Sequence, residues 1–178
     1  LYYEEDESND YYEDEGYYPE EEGLEELVEE CVEALGNCLA DSHTDRVARE
    51  KIIEVLFAIY QQDVNADESH DFGESAADQL VRYTQPLERQ RLATQIEALL
   101  KDEEEVIGGS RRQTYGQFLL DLEHDTLDDE AYLRICRETG RTSDLVERLL
   151  TLGRIDEAVG ENERVNRSFL PHLADPFV

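Results

Sequence analysis

Apolar residues recur three and four positions apart from Leu24 onward, and this period predicts helices. In the first run they are Leu24, Leu27, Val28, Cys31, Val32, Leu35, Cys38 and Leu39, with glutamates between them. The spacing is that of an amphipathic helix with one buried face. Since Cys31 and Cys38 share that face, we expect both thiols to be buried in the core.

A broader apolar run predicts a second helix over residues 47–60, after capping residues in "SHTD". Its apolar positions are Ile52, Ile53, Val55, Leu56, Phe57, Ile59 and Tyr60. Because so much of its circumference is apolar, we expect this helix at the centre of the N-terminal half. Further helices are predicted over 75–83, over 86–102, from Ser110 or Thr114 onward, and over 128–139.

The stretch "CRETGRTSDLVERLLTLGRIDEAVGENERV" (136–165) holds short apolar runs, and Gly-Arg ends a run twice. Gly140 and Gly153 stand where a helix end favours a left-handed residue, and the arginine after each is expected to bind free carbonyls. Helices this short need neighbours to be stable. No stretch alternates strictly between apolar and polar residues. The predicted fold is therefore all-α, with about eight helices in antiparallel pairs forming a short, tetratricopeptide-like α-solenoid.

Residues 1–23 differ in composition from the rest. They hold three Tyr-Tyr pairs among acidic residues and too few aliphatic residues for a core. We interpret them as an acidic, Tyr-rich, disordered linker or arm, with docking on a basic groove as the alternative. Residues 24–178 are predicted to be the helical-repeat domain, continuing beyond 178.

The charge restricts the classes of partner. The formal net charge is −30, and residues 1–34 hold sixteen of the 46 acidic residues but no Lys, Arg or His. Such a field repels nucleic acid and anionic membranes, so the expected partner is a protein with a basic surface. The sequence has neither a long apolar run nor a basic, apolar leader, and its three cysteines suit a reducing compartment. These features predict a cytoplasmic location.

The run "DDEAYLRICRETGRTSDLVERLLTLGRIDEAVGENERV", followed by "LPHLAD", resembles the helical region of bacterial SWIM zinc-finger-containing proteins. The likeness covers roughly residues 80–178 and contains no motif that carries chemistry. That family's finger binds zinc through a Cys-x-Cys and a Cys-x-His pair, and this sequence has neither. The resemblance therefore implies a finger before Leu1, with zinc bound only there, and a helical interaction region here.

The loop after the second predicted helix carries the strongest local motif. Asp63, Asn65, Asp67, Asp71 and Glu74 fall at positions 1, 3, 5, 9 and 12 of a calcium-binding helix-loop-helix template. Two residues argue against calcium binding. Glu68 occupies the position where the template needs glycine, and His70 occupies a position that is usually apolar. The alternative is a solvated acidic loop.

No motif for a catalytic nucleophile, a phosphate loop or a dinucleotide fingerprint occurs, so we expect a non-catalytic protein-interaction scaffold. The only adjacent arginines lie in "SRRQTYGQF", which makes Arg111, Arg112 and Tyr115 candidates for partner binding, although pairing with nearby acids is the simpler explanation of the arginines. The tyrosines expected in a binding groove, or in the core, are Tyr60, Tyr83, Tyr115 and Tyr132. Two alternative functions are a calcium-responsive module and an acidic mimic of nucleic acid that binds a basic protein.

Overall fold

The computed structural model describes residues 19–66, 72–102 and 109–169, and within these ranges the chain is helical without strands. The helices are α1 (Pro19–Ala40), α2 (Arg46–Asn65), α3 (Phe72–Tyr83), α4 (Pro86–Asp102), α5 (Gly109–Glu123), α6 (Asp129–Thr139), α7 (Thr142–Thr151) and α8 (Ile155–Phe169). The all-α prediction is confirmed for these residues. The first helix begins at Pro19, before the predicted start at Leu24. The predicted acidic arm lies mostly outside the described residues.

In the N-terminal half α3 packs against both α1 and α2, and α1 and α2 contact each other less extensively. Aromatic residues then join α2 to α5: the ring centroids of Tyr60 and Phe118 lie 4.5 Å apart, and the rings of Tyr60 and Tyr115 meet edge to face at 5.7 Å. The hydroxyl of Tyr60 donates to the carbonyl of Thr114 at 3.1 Å. Burial raises the pKa of Tyr60, so this phenol is a neutral donor within the core.

Later helices pack mainly on the next helix in sequence, from α4 and α5 to α7 and α8. The exception is the step from α3 to α4, because these two helices pack little against each other although only two residues separate them. The order of helices is therefore not a uniform series of antiparallel pairs.

Local sequence explains several helix ends. Asp45 accepts hydrogen bonds from the amides of Val47 and Ala48 and caps α2, while Asp128 caps α6 through the amide of Ala131. Gly140 and Gly153 have φ of 74° and 72°, as predicted. After each glycine, the amide of the following arginine bonds back to a carbonyl in the last turn of the preceding helix. This is the Schellman arrangement.

The prediction that the side chains of Arg141 and Arg154 bind the free carbonyls at the ends of α6 and α7 is wrong. Arg141 donates to the carbonyl of Gln113 on α5 at 3.0 Å and pairs with Asp144 at 2.8 Å. Arg154 binds Glu157 through two hydrogen bonds and also reaches Glu130 on α6. Each arginine thus connects a new helix to the helix two positions earlier.

The prediction that Cys31 and Cys38 are buried is wrong, because both are exposed. The apolar band on α1 is wider than its contact with α2 and α3. Only Val28, Val32, Leu35 and Leu39 face the core, while Leu24 and Leu27 are 62% and 55% exposed.

Candidate interaction groove

A groove of about 670 Å³ lies between α2 and α4. The first turns of both helices are held side by side by Arg49 of α2, whose guanidinium makes two hydrogen bonds, of 2.9 and 2.8 Å, with the carboxylate of Glu88. The same guanidinium donates to the carbonyls of Leu39 and Tyr83, at the ends of α1 and α3. One buried cation therefore connects four helices at the head of the groove.

The floor of the groove is apolar. It is formed by Ile53, Phe57, Leu92 and Leu99. These positions follow from helical spacing, because residues three or four apart on α2 and on α4 lie on the faces that look toward each other. Ala98 also lines the groove on the α4 side and is exposed. Its small side chain leaves space for a ligand there.

The rim of the groove carries the carboxylates of Glu50 and Glu54, beside Arg91 and two glutamines, Gln61 and Gln95. Glu50 accepts a hydrogen bond from Arg46, which holds the pKa of its carboxyl below the ordinary value. Arg91 reaches across from α4 to the same carboxylate at 3.3 Å. Glu54 is exposed, and the described part of the chain offers it no cationic partner. An incoming cation therefore finds one free carboxylate on this rim and a second that Arg91 already contacts.

Apolar surface continues at the head of the groove. Val47 and Leu87, near the starts of α2 and α4, are 61% and 72% exposed. Each lies one helical turn before a rim residue, Glu50 on α2 and Arg91 on α4, and so falls on the groove side of its helix. Isolated exposed aliphatic residues are common. Here two of them adjoin an apolar floor.

Three of the five predicted calcium ligands, Asp63, Asn65 and Glu74, lie in the described residues. Asp63 and Asn65 lie within α2 instead of in a loop, and residues two apart on a helix point in different directions. Asp63 is buried against Gly73, whereas Glu74 is exposed on α3. Asp63 and Glu74 do line a common hollow of about 380 Å³ between α2, α3 and α5, but Asn65 does not. Asp67 and Asp71 lie outside the described residues.

No group of three or more His, Cys, Asp or Glu side chains suited to a metal ion occurs in the described part of the chain. Helices flank the predicted calcium loop on both sides, since α2 runs on to Asn65 and α3 begins at Phe72. A calcium template requires its first and third ligands to converge on one ion. Because Asp67 and Asp71 lie outside the described residues, calcium binding by this segment stays a prediction.

Tyr115, predicted as a partner-binding residue, is buried and packs against Tyr60, so it offers no surface to a partner. The neighbouring arginines bind helix ends. Arg111 donates to the carbonyl of Asn65 at the end of α2, and Arg112 donates to those of Leu100 and Glu138 on α4 and α6. Both arginines are half-buried, and these contacts stabilise the packing between helices.

The other three tyrosines named as groove candidates are also buried or half-buried. Tyr60 is buried, and Tyr83 and Tyr132 are half-buried against the core. Tyr132 lies under the guanidinium of Arg148, whose carbon is 5.3 Å from the ring centroid. Such a stack is a modest attraction. None of these four tyrosines lines the α2–α4 groove.

Sequence reasoning missed both the groove and the Arg49–Glu88 pair. A signal for Arg49 was available, since it lies four residues before Ile53 and seven before Leu56, on the apolar face of α2. A cation on a buried face requires an anionic partner. With 46 acidic residues in the chain, the sequence did not indicate which one.

No helix among the described residues is long and apolar enough to cross a bilayer. No family model, curated protein or solved structure matches this chain.

Proposed function

We propose that this chain is a non-catalytic protein-interaction scaffold, built as a short α-solenoid, that holds a basic segment of a partner protein in the α2–α4 groove. The observation that carries the proposal is the groove itself, with an apolar floor, an acidic rim and a volume of about 670 Å³. Grooves between helices commonly accept an amphipathic helix by its apolar face. The acidic rim selects a partner with Lys or Arg beside its apolar residues.

Side-chain contacts between alternate helices support the solenoid arrangement. Arg49 and Glu88 join the first turns of α2 and α4, while Arg137 on α6 pairs with Glu161 on α8 at 3.0 Å. Arg154, at the start of α8, reaches Glu130 in the first turn of α6. The Arg49–Glu88 and Arg154–Glu130 contacts join the starts of alternate helices, as expected of parallel neighbours in a two-row array.

We further propose that the array is the helical region of a larger SWIM zinc-finger-type protein. The support for this is the sequence resemblance of residues 80–178. A test is whether the gene product that carries this chain binds zinc through a segment upstream of Leu1.

The groove is tested by blocking it without changing the charge. Ala98→Trp fills the groove, and Thr94→Trp adds the same ring to an exposed position of α4 outside it. In affinity capture from the source lysate, a specific partner should be retained by the wild type and by the Thr94 variant and lost with the Ala98 variant. Circular dichroism checks that both variants are folded.

A second pair of variants tests the rim. Glu54→Gln should weaken capture, whereas Glu147→Gln, the same charge change at an exposed position of α7, should not. Binding that ignores all four substitutions and disappears above about 0.3 M salt, where screening is short-ranged, would contradict the groove. Such binding would instead indicate an acidic surface that attracts basic proteins in general.

A further inference from the structure

Helix α1 carries a second apolar stripe that no other described helix covers. It consists of Leu24, Leu27, Cys31, Ala34 and Cys38, all exposed. Leu24 and Leu27 are among the most exposed large apolar side chains in the described ranges, at 62% and 55%. We call this set the α1 stripe. It lies beside, and is separate from, the set of residues through which α1 contacts the core.

The α1 stripe has the spacing of a helix–helix seam. Its members are separated by three, four, three and four residues, which is the alternation that keeps a seam facing one partner helix. At 1.5 Å per residue the stripe is about 21 Å long, or four turns. Its second half is made of small side chains, Ala34 and the two cysteines. A partner helix with large aliphatic residues opposite them would fill that space.

Acidic residues border one side of the stripe. Glu26, Glu30 and Glu33 line a hollow of about 430 Å³ together with Ser75 and Gln79 of α3. No Lys or Arg occurs in the chain before Arg46. A second copy of the chain would bring this acidic border and a net charge of −30 against the same charges, which opposes self-association. A cationic helix is favoured by the same electrostatics.

We infer that the α1 stripe is a docking surface for an amphipathic helix of a partner protein, with large aliphatic residues on its seam and Lys or Arg beside them. This surface lies beside the core contacts of α1 and shares no residue with the α2–α4 groove. The inference is therefore independent of the groove proposal, and each can fail without the other.

The two exposed thiols make the stripe directly observable. Cys31 and Cys38 are exposed, whereas Cys136 is buried, and burial raises its pKa to about 11. Since the thiolate is the reactive form, Cys136 should resist alkylation in the folded protein and serve as an internal reference. Seven residues of helix place Cys31 and Cys38 about 10 Å apart, which is too far for a disulfide between them.

The experiment measures alkylation of each cysteine by iodoacetamide, read by mass spectrometry, with and without a synthetic peptide. The peptide is a helix of about three heptads with leucine at the seam positions and lysine beside them. A peptide of the same composition in scrambled order is the control. We expect saturating helical peptide to slow alkylation of Cys31 and Cys38 at least about tenfold, the factor that corresponds to 1.4 kcal/mol, and the scrambled peptide to leave both rates unchanged.

Neutral substitutions assign the binding site. Leu24→Ser combined with Leu27→Ser should weaken peptide binding at least about tenfold, while Leu87→Ser, at a still more exposed leucine beside the groove, should not. Peptide binding that leaves both thiols reactive, or that responds to Leu87→Ser and not to the α1 variant, would overturn the inference. A chain that sediments alone as a dimer with protected thiols would also overturn it, because a second copy would then cover the stripe.

Discussion

Replacing Arg49 by methionine is expected to destabilise the protein strongly, because one buried guanidinium holds four helices together. Its side chain is 9% exposed and that of Glu88 is 15% exposed. Among the described residues, the substitution leaves the Glu88 carboxylate with one hydrogen bond, from the amide of Gln85 at 2.7 Å. It also removes the donors to the carbonyls of Leu39 and Tyr83 at the ends of α1 and α3.

The expected loss is about 3–5 kcal/mol in the free energy of unfolding, as for a buried ion pair broken by removal of one partner. This is a large part of the roughly 5–15 kcal/mol available to a typical domain. The matched control is Arg46→Met, because Arg46 makes an exposed pair with Glu50 one turn along the same helix. That control should lose no more than about 0.5 kcal/mol.

Urea unfolding followed by circular dichroism measures both losses. The double variant Arg49→Met with Glu88→Leu should recover part of the loss, since no charge is then left buried. A loss below about 1 kcal/mol for Arg49→Met, comparable with surface pairs, would refute the idea that Arg49 connects the helices at the head of the groove.

The same pair predicts a pH dependence. The hydrogen bond from Arg49 lowers the pKa of Glu88 below 4.5, the ordinary value for glutamate. A lowered folded-state pKa contributes stability above the unfolded-state value, and this contribution disappears as the pH falls through the folded-state value. The stability of the wild type should therefore fall below about pH 4.5 more steeply than that of Glu88→Gln. Equal slopes in urea titrations across this range would contradict the assignment.

Substitutions at glycines and thiol labelling give three further tests. Gly116→Ala should lower the free energy of unfolding by about 1–3 kcal/mol, because the new methyl would lie 2.4 Å from a threonine hydroxyl on α6. Gly160→Ala, in open space on α8, should raise it by about 0.5–1 kcal/mol. Thermal melts compare the two variants. Gly140→Ala and Gly153→Ala should each cost about 1–2 kcal/mol in urea unfolding, since both glycines have positive φ, and a neutral result would contradict the need for a left-handed residue. Thiol titration of the native chain should count two reactive cysteines, with Cys136 reacting only after unfolding.

Helix positions were predictable because their signals are local. The cap at Asp45, the proline at the start of α4 and the two glycines that end α6 and α7 act within a few residues of where they stand. Each was read correctly. The short helices near the C-terminal end of the described residues also follow from these signals.

What the sequence did not reveal depends on contacts distant along the chain. The apolar positions of α1 form one continuous band in the sequence, and only the placement of α2 and α3 decides that Val32 is buried and Cys31 exposed. Arg49 and Glu88 lie 39 residues apart. The groove between α2 and α4 arises because α4 packs on α5 rather than on α3, a preference that spacing along either helix does not encode.

The paired Gly-Arg steps have a mechanical consequence. At each Gly-Arg pair the glycine sets the direction of the turn, and the arginine binds the helix two positions earlier. Arg141 contacts α5 and Arg154 contacts α6. Bending this end of the chain would therefore require breaking a charged or hydrogen-bonded contact at every step, in addition to sliding apolar surfaces. The C-terminal helices should therefore bend little relative to one another. A force applied along them would be transmitted through guanidinium contacts from each helix to the helix two positions away.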